Sequence, residues 1–215
     1  MNFSQVKVLI WDFDGTFYVP NQKLWHEVRL AEYKTICDYT GWQLEKAKIE
    51  FAKIHKKIIP SGYMTVAKLS NINMIQAVEH IEKYFDRRKY AKRDEKLINM
   101  FEKLSRFKHY ILANGSQKGI RETLKVLGVS EKNFTKIVTS EIVGVNKPDL
   151  KGFKYILAKT KLNPLSHMMI GDRVTSDLEP ARKLHMATCL IGQRVESEAV
   201  DISIPVVYDI KKLFI

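Results

Sequence analysis

Two carboxylates, Asp12 and Asp14, follow the first apolar run of the sequence, Val8–Trp11, and precede a Gly-Thr pair. Two like charges this close to the end of a buried strand are unfavourable unless a cation or a reaction uses them. Polar residues also follow three later apolar runs. They are Asn114, Gly115 and Ser116 after HYIL, Lys147, Pro148 and Asp149 after KIVTSEIVG, and Gly171 and Asp172 after HMMI, with Asp177 shortly beyond.

Oxygen donors at this density are typical of a magnesium site, because Mg2+ binds carboxylates, a backbone carbonyl, water and substrate phosphate. Each residue alone also has a structural interpretation. Asp177 is equally well placed to cap the helix of SDLEPARKLH, with Pro180 in its first turn. Lys147 alone is typical of a solvated loop, and Asn114 alone of a turn. Their joint placement, one group after each strand, favours a common active site.

The elements that must position these residues alternate regularly from Lys108 onward. The segments are HYILAN, SQKGIRETLKVLG, KIVTSEIVG, DLKGFKYILAKT, HMMIGD, SDLEPARKLH and ATCLIG. Short apolar runs separated by helical stretches predict repeated β-α units, which form a parallel sheet. We therefore predict an α/β fold with a Rossmann-like parallel sheet. Ligands bind outside the carboxyl ends of such strands, where the polar residues lie.

The segment between Val19 and Arg93 shows no strand pattern. Helical periodicity occurs in QKLWHEVRLAEYKTICDY, QLEKAKIEFAKIHKKI and NINMIQAVEHIEKYF. Gly41 is expected to separate the first two helices, and a turn at Pro60, Ser61 and Gly62 the second from the third. This pattern predicts a core domain of residues 1–18 and 94–215 with an all-helical cap domain inserted at 19–93.

The overall composition narrows the function classes. The 36 Lys and Arg residues outnumber the 24 Asp and Glu residues, so that the net charge of +12 favours anionic ligands, either phosphorylated metabolites or nucleic acid. No aromatic-basic pattern supports nucleic acid. The sequence contains no apolar run long enough for a bilayer and starts with no signal peptide, which predicts a soluble cytoplasmic protein without a membrane partner.

Four groups of residues, taken together, resemble the motifs of the haloacid dehalogenase-like (HAD) hydrolase superfamily. They are Asp12–Thr16 (DFDGT), Asn114 with Gly115, Lys147 with Pro148, and Gly171–Asp177 (GDRVTSD). The layout, a Rossmann-like core with a helical cap after the first motif, is similar to that of phosphoglycolate phosphatases in the phosphatase branch. The resemblance covers the whole chain.

One position departs from the family pattern. The family usually has Ser or Thr immediately before Asn114, where its hydroxyl binds the transferring phosphate, whereas this chain has Ala113. Three outcomes are open: phosphate binding is weaker, Ser116 or Thr16 replaces the missing hydroxyl, or the protein is an inactive member.

The resemblance implies a role for each site residue. Asp12 would attack phosphorus and form an aspartyl-phosphate, while Asp14 would protonate the leaving group and then activate water. Asp172 would hold Mg2+ together with Asp12 and the backbone carbonyl of Asp14, and Asp177 would orient these ligands. Lys147 would neutralise the nucleophile and the phosphate oxygens. The residues implied to bind the substrate phosphate are Thr16, Asn114, Gly115, Ser116 and Lys147.

The carboxylate of Asp14 also discriminates among reactions. Relatives that attack carbon in haloacids lack an acid at this position, because a halide leaves without a proton, and phosphonate-cleaving relatives depart from Asp there too. The resemblance therefore implies Mg2+-dependent hydrolysis of a small phosphate monoester. The alternatives are a phosphomutase, which keeps both aspartates, and a catalytically weakened HAD-like binding protein.

The cap would determine the substrate, because it closes over the site and excludes water. The partner implied is a small phosphorylated metabolite, and the chain would act as a monomer or homodimer. The candidates to face the substrate are Phe17, Tyr18, Trp25, His26, Trp42, Lys53, His55, Lys56 and Tyr63.

Overall fold

The apolar run that ends before Asp12 forms the central strand, β1 (Val8–Trp11), of a six-stranded sheet in a computed structural model of the chain. The structure describes residues 3–19, 21–55, 57 and 61–214. Leu9 and Trp11 pack into an apolar cluster on one face of the sheet, and Val8 and Ile10 into a cluster on the other. Since both faces are covered, the strand is apolar throughout instead of alternating.

All six strands are parallel, which confirms the predicted α/β fold. The other strands are β2 (Lys108–Leu112), β3 (Phe134–Val138), β4 (His167–Gly171), β5 (Ala187–Ile191) and β6 (Ile202–Ile204). The sheet has the order β3-β2-β1-β4-β5-β6. The chain thus builds the sheet outward from β1 in both directions, and a crevice forms at the carboxyl ends of β1, β2 and β4.

Helices cover the sheet and fill the segment that follows β1. They are α1 (Gln22–Thr40), α2 (Leu44–Ile54), α3 (Gly62–Ser70), α4 (Met74–Ile81), α5 (Glu95–Lys103), α6 (Gln117–Leu127), α7 (Ser140–Val143), α8 (Lys151–Thr160) and α9 (Glu179–Lys183). Helices α1 to α4 have an apolar cluster of their own, which includes Ala31, Phe51 and Ile81. Gly41 ends α1 with φ of 69°, as predicted. No helix among the described residues is both long and apolar enough to cross a bilayer.

The predicted turn at Gly62 is wrong, because Gly62 is the first residue of α3, a helix that the periodicity did not indicate. A Cβ on Gly62 would collide with the carboxylate of Glu32 in α1. Gly62 therefore permits the close approach of α1 and α3, and it lies inside a helix instead of in a turn. Pro60, the first residue of the expected turn, and Lys56, one of the candidates to face the substrate, lie outside the described residues.

Two further segments differ from the prediction. KIVTSEIVG is divided between strand and helix, because the side chain of Thr139 accepts a hydrogen bond from the N–H of Glu141 and starts α7. After Gly192 the chain adds β6 and a 3-10 helix, Val207–Leu213. A strand of three residues is too short to show an alternating pattern.

The histidine of β2 makes the stability of the fold sensitive to acid. His109 is buried, accepts a hydrogen bond from Nε1 of Trp11 at 3.0 Å, and donates from Nε2 to the carbonyl oxygen of Leu104 at 3.0 Å. These partners require the neutral ring, and burial lowers its pKa from 6.5 to about 4. The stabilisation is present above pH 6.5, where the unfolded chain is also neutral, and is lost as the pH falls toward 4.

We expect His109→Gln, which keeps a donor and an acceptor but does not titrate, to lose less stability in acid than the wild type. The difference in free energy of unfolding between the two proteins should shrink by about 2 kcal/mol between pH 7.5 and pH 4.5. Urea denaturation at both pH values measures this difference. The contributions of the other titrating groups to the free energy of unfolding cancel in it, because both proteins contain them. An unchanged difference would show that His109 is not the titrating group.

Candidate active site

The turn after β1 brings the first carboxylate into the crevice. The N–H of Asp12 donates to the carbonyl oxygen of Ile170 at 2.8 Å, which continues the pairing of β1 with β4. Gly15 adopts φ of 97°, and a Cβ on it would collide with the carboxylate of Asp172. Gly15 therefore permits both the left-handed turn and the close approach of the Asp172 carboxylate. The hydroxyl of Thr16 donates to Oδ2 of Asp12 at 3.2 Å.

Lys147 forms ion pairs with two buried aspartates, Asp12 and Asp177. Its Nζ donates to Oδ1 of Asp12 at 2.6 Å and to Oδ1 of Asp177 at 2.7 Å, and the residue is 4% exposed. Burial alone would lower the pKa of this lysine, but the carboxylates of Asp12 and Asp177 raise it above the ordinary value, so the ammonium stays charged. The central strand and the loop before α8 thus meet in one buried ion-pair network.

Asn114 holds this lysine in place through its backbone. Its Nδ2 donates to the carbonyl oxygen of Lys147 at 3.1 Å, and its Oδ1 accepts from the N–H of Lys147 at 2.8 Å. The family resemblance implies that Asn114 binds the substrate phosphate. In the structure the amide of Asn114 is committed to the backbone of Lys147.

Asp12, Asp172 and Asp177 form the cluster that could hold a metal ion. One carboxylate oxygen from each lies within 4.8 Å of the others. Burial raises the pKa of Asp172 to about 8, with further contributions from the charges of Asp12 and Asp177. Its Oδ1 is buried without a hydrogen-bond partner among the described residues. A bare carboxylate oxygen beside two further carboxylates fits a divalent cation such as Mg2+, which requires oxygen ligands.

Asp177 does not cap a helix. It lies inside a π-helical turn, Val174–Leu178, which leads directly into α9, where Pro180 occupies the first turn as predicted. Its carboxylate accepts hydrogen bonds from the N–H of Arg173 at 3.1 Å and from the hydroxyl of Ser176 at 3.2 Å, besides Lys147. These contacts fix the carboxylate within the cluster that it forms with Asp12 and Asp172.

The carboxylate of Asp14 is not part of that cluster, and the metal ligand predicted for this residue is its backbone carbonyl. Its Oδ1 accepts a hydrogen bond from the hydroxyl of Tyr18, and Nη1 of Arg87 lies 3.9 Å from its Oδ2. Burial, together with the charge of Asp14, raises the pKa of Tyr18, so the phenol stays a donor. The side chains of Asp12 and Asp14 therefore have different surroundings, although only Phe13 separates them.

Ser116 has partners that the sequence did not indicate. Its hydroxyl donates to Oε2 of Glu82, its N–H donates to Oε1 of Glu82 at 3.0 Å, and its Oγ accepts from the N–H of Gly119 at the start of α6 at 2.9 Å. Glu82 follows the last residue of α4, so the contact joins the helical segment to the sheet. Ser116 does not line the cavity described next.

A cavity of about 750 Å3 opens above the carboxylates. It is lined by Asp12, Asp14, Lys147 and Asp177, which follow strands of the sheet, and by residues of the helical segment. The predicted substrate-facing residues Trp25, His55 and Tyr63 line it, whereas Phe17 belongs to the apolar cluster of the sheet, Lys53 is exposed, and His26 and Trp42 are not among the lining residues. Lining residues that the sequence analysis missed include Arg29, Glu32, Arg87 and Arg173.

The part of the cavity formed by α1 contains a buried acid. Glu32 is 4% exposed, and its Oε2 lies 3.0 Å from Nη1 of Arg29. Burial raises the pKa of Glu32 to about 7, against the opposing effect of Arg29 and Arg173. The guanidinium of Arg173 lies over the ring of Trp25, 5.1 Å from its centre. An i,i+3 pair such as Arg29 and Glu32 is common on solvated helices, and therefore the sequence did not single it out.

Comparisons with known proteins agree with this geometry. The family model described as haloacid dehalogenase-like hydrolase matches residues 6–185. A glyceraldehyde 3-phosphate phosphatase from Methanocaldococcus jannaschii is 41% identical over 58 residues, 27% of this chain. The match spans 25% of that relative's length.

Two solved structures share the whole architecture. A HAD phosphatase from Thermococcus onnurineus is similar over 97% of both chains, with a TM-score of 0.68 and 20% identity. A predicted phosphoglycolate phosphatase from Haemophilus somnus is similar over 98% of both chains, with a TM-score of 0.65 and 15% identity. At these identities the two structures show the fold. Since the family model matches most of the chain, including the four polar groups and strands β1 to β4, the chain belongs to the haloacid dehalogenase-like hydrolase family.

Proposed function

We propose that the protein is a Mg2+-dependent phosphatase that hydrolyses a small phosphate monoester through an aspartyl-phosphate on Asp12. The observation that carries the proposal is the placement of Asp12 and Asp14 on one cavity with different partners. The carboxylate of Asp12 belongs to the acidic cluster and is paired with Lys147, whereas the carboxylate of Asp14 accepts a hydrogen bond from Tyr18. A nucleophile and a proton carrier need this separation of surroundings.

In the first step a carboxylate oxygen of Asp12 forms a bond to phosphorus, and the ester oxygen leaves with the proton of Asp14. In the second step Asp14 takes a proton from water as the water oxygen attacks phosphorus, and the bond to Asp12 breaks to release phosphate. Lys147 offsets negative charge on Asp12 throughout. Asp12, Asp172 and the backbone carbonyl of Asp14, with Asp177 beside them, would hold Mg2+, which would supply positive charge for the phosphoryl oxygens.

We infer further that residues 19–93 act as the cap. Trp25 and Glu32 from α1 and Tyr63 from α3 line the cavity above the carboxylates, and their helices have a separate apolar cluster. Closing this cavity excludes water, which favours transfer to Asp12 over direct hydrolysis. The name of the Methanocaldococcus relative supports a small phosphorylated metabolite as the substrate class.

A panel of phosphate esters tests the proposal. We expect Mg2+-dependent release of phosphate from an aryl phosphate and from at least one sugar, triose or nucleoside monophosphate, and loss of release when EDTA removes the metal. Phosphorus NMR of the same reactions distinguishes a mutase, which would give an isomerised sugar phosphate with little free phosphate. If no ester of a broad panel reacts with Mg2+ present, the phosphatase proposal fails, and the protein is better described as a HAD-like binding protein.

A further inference from the structure

The phosphate end of the cavity lacks the hydroxyl that the family usually places before Asn114. Ala113 lines the cavity at this position. The two hydroxyls that could replace it have other partners, since Thr16 donates to Asp12 and Ser116 donates to Glu82. Neither hydroxyl is therefore free to replace the one that Ala113 lacks.

The side chain of Arg87 has an N–H donor, on Nη1, without a hydrogen-bond partner among the described residues. It lies in a short 3-10 segment, Arg87–Tyr90, that connects the helical segment to α5, and it lines the same cavity. It is 5% exposed, and its Nη2 donates to Oε1 of Glu82 at 2.6 Å. Its Nη1 is buried and forms no hydrogen bond with the described residues; Oδ2 of Asp14, at 3.9 Å, is too far away. A buried guanidinium with an unused N–H is costly unless a ligand completes it.

Glu82 and Gly115 fix the position of this guanidinium. Oε1 of Glu82 accepts hydrogen bonds from Nη2 of Arg87 and from the N–H of Ser116, and Oε2 accepts one from the hydroxyl of Ser116. A Cβ on Gly115 would lie 2.6 Å from Nη1 of Arg87 and 3.1 Å from Oε1 of Glu82. The free Nη1 thus lies against the backbone of the turn that follows Ala113, where the absence of a side chain on Gly115 leaves room for it.

We propose that Arg87 binds the substrate phosphate in place of the hydroxyl that Ala113 lacks, and that Glu82 is its positioning residue. The inference rests on the proposed phosphatase function, because it assigns a residue to the phosphate of that same site. A guanidinium suits this role, since it can keep one N–H on Glu82 while it directs another at a phosphate oxygen. The competing interpretation is structural: Arg87 serves only to join the helical segment to α6 through Glu82.

Binding of orthophosphate in the presence of Mg2+, measured by calorimetry, separates the two interpretations without requiring turnover. We expect Arg87→Met to weaken orthophosphate binding about 10- to 100-fold. The matched control is Arg88→Met, which removes the same charge from an exposed neighbour that pairs with Asp86 and Glu122, and which should change the dissociation constant less than about 2-fold.

A double-mutant cycle with Ala113→Ser provides the second readout. In the wild-type background the new hydroxyl should change orthophosphate affinity less than about 2-fold, whereas in the Arg87→Met background it should restore affinity several-fold. Such coupling is expected only if Arg87 and the hydroxyl serve the same group. If Arg87→Met does not fold, the double variant Arg87→Met with Glu82→Gln takes its place. A neutral amide at position 82 avoids a buried carboxylate without its cation.

The proposal is overturned if the wild type binds no orthophosphate, if Arg87→Met binds it as Arg88→Met does, or if Ala113→Ser acts equally in both backgrounds. Each of these results stands independently of the ester panel. If no ester reacts but the expected binding pattern is found, the phosphatase function fails and the phosphate site at Arg87 remains. If esters react and the pattern is absent, only the assignment of Arg87 fails.

Discussion

Asp12→Asn is expected to abolish phosphate release, with kcat reduced by about 10^4-fold or more. The amide has nearly the shape of the carboxylate and keeps one oxygen to accept from Lys147, but it cannot attack phosphorus. Asp209, which is half-buried and pairs with Lys212 outside the cavity, provides the matched control, and Asp209→Asn should keep wild-type activity. Steady-state release of phosphate from an aryl and an alkyl ester measures both variants.

Asp14→Asn distinguishes the nucleophile from the proton carrier. An alkoxide leaves only when protonated, whereas a nitrophenolate leaves without a proton, so the loss in Asp14→Asn should be larger for the alkyl ester. The loss in Asp12→Asn should be equal for the two esters. Mass spectrometry of the quenched wild-type reaction should find the phosphoryl group on the peptide that contains Asp12. Retention of a tenth or more of kcat in Asp12→Asn would contradict the proposed nucleophile.

Lys147→Met is expected to have the largest effect on stability. It removes the only described ammonium bonded to both Asp12 and Asp177 and leaves these buried carboxylates facing each other and Asp172. Breaking a buried ion pair from one side costs about 3–5 kcal/mol. Since Mg2+ would offset part of the repulsion, the loss should be smaller at saturating Mg2+ than in EDTA. Urea denaturation in the two buffers measures the difference, and kcat should fall at least about 100-fold.

The control for Lys147→Met is Lys136→Met, on an exposed position of β3, which should leave both stability and kcat near the wild-type values. Equal destabilisation of Lys147→Met in Mg2+ and in EDTA would indicate that no divalent cation binds beside Asp12. A stable Lys147→Met in EDTA would show instead that the carboxylates tolerate one another without the ammonium.

The sheet and the carboxylates at its edge were predictable from the sequence because both follow from local patterns. Continuous apolar runs give buried parallel strands, and polar residues after them must lie at the same edge of the sheet. The turn predicted at Gly62 was wrong, because the sequence does not distinguish a glycine needed for close contact with Glu32 from a glycine needed for a turn. Glu82 and Arg87 had no signal, since their importance depends on a contact with Ser116 that forms only in the fold.

The contact between Glu82 and Ser116 bears on how members of this family could exchange parts. If the helical insertion only selected the substrate, it could be transplanted between relatives while the chemistry of the sheet stayed intact. Here residues 19–93 contain both Glu82 and Arg87, so that a transplant of this segment would also remove the guanidinium that we propose binds the substrate phosphate. If Arg87 replaces the hydroxyl that Ala113 lacks, recombination that exchanges this segment alone would leave the substrate phosphate without either donor.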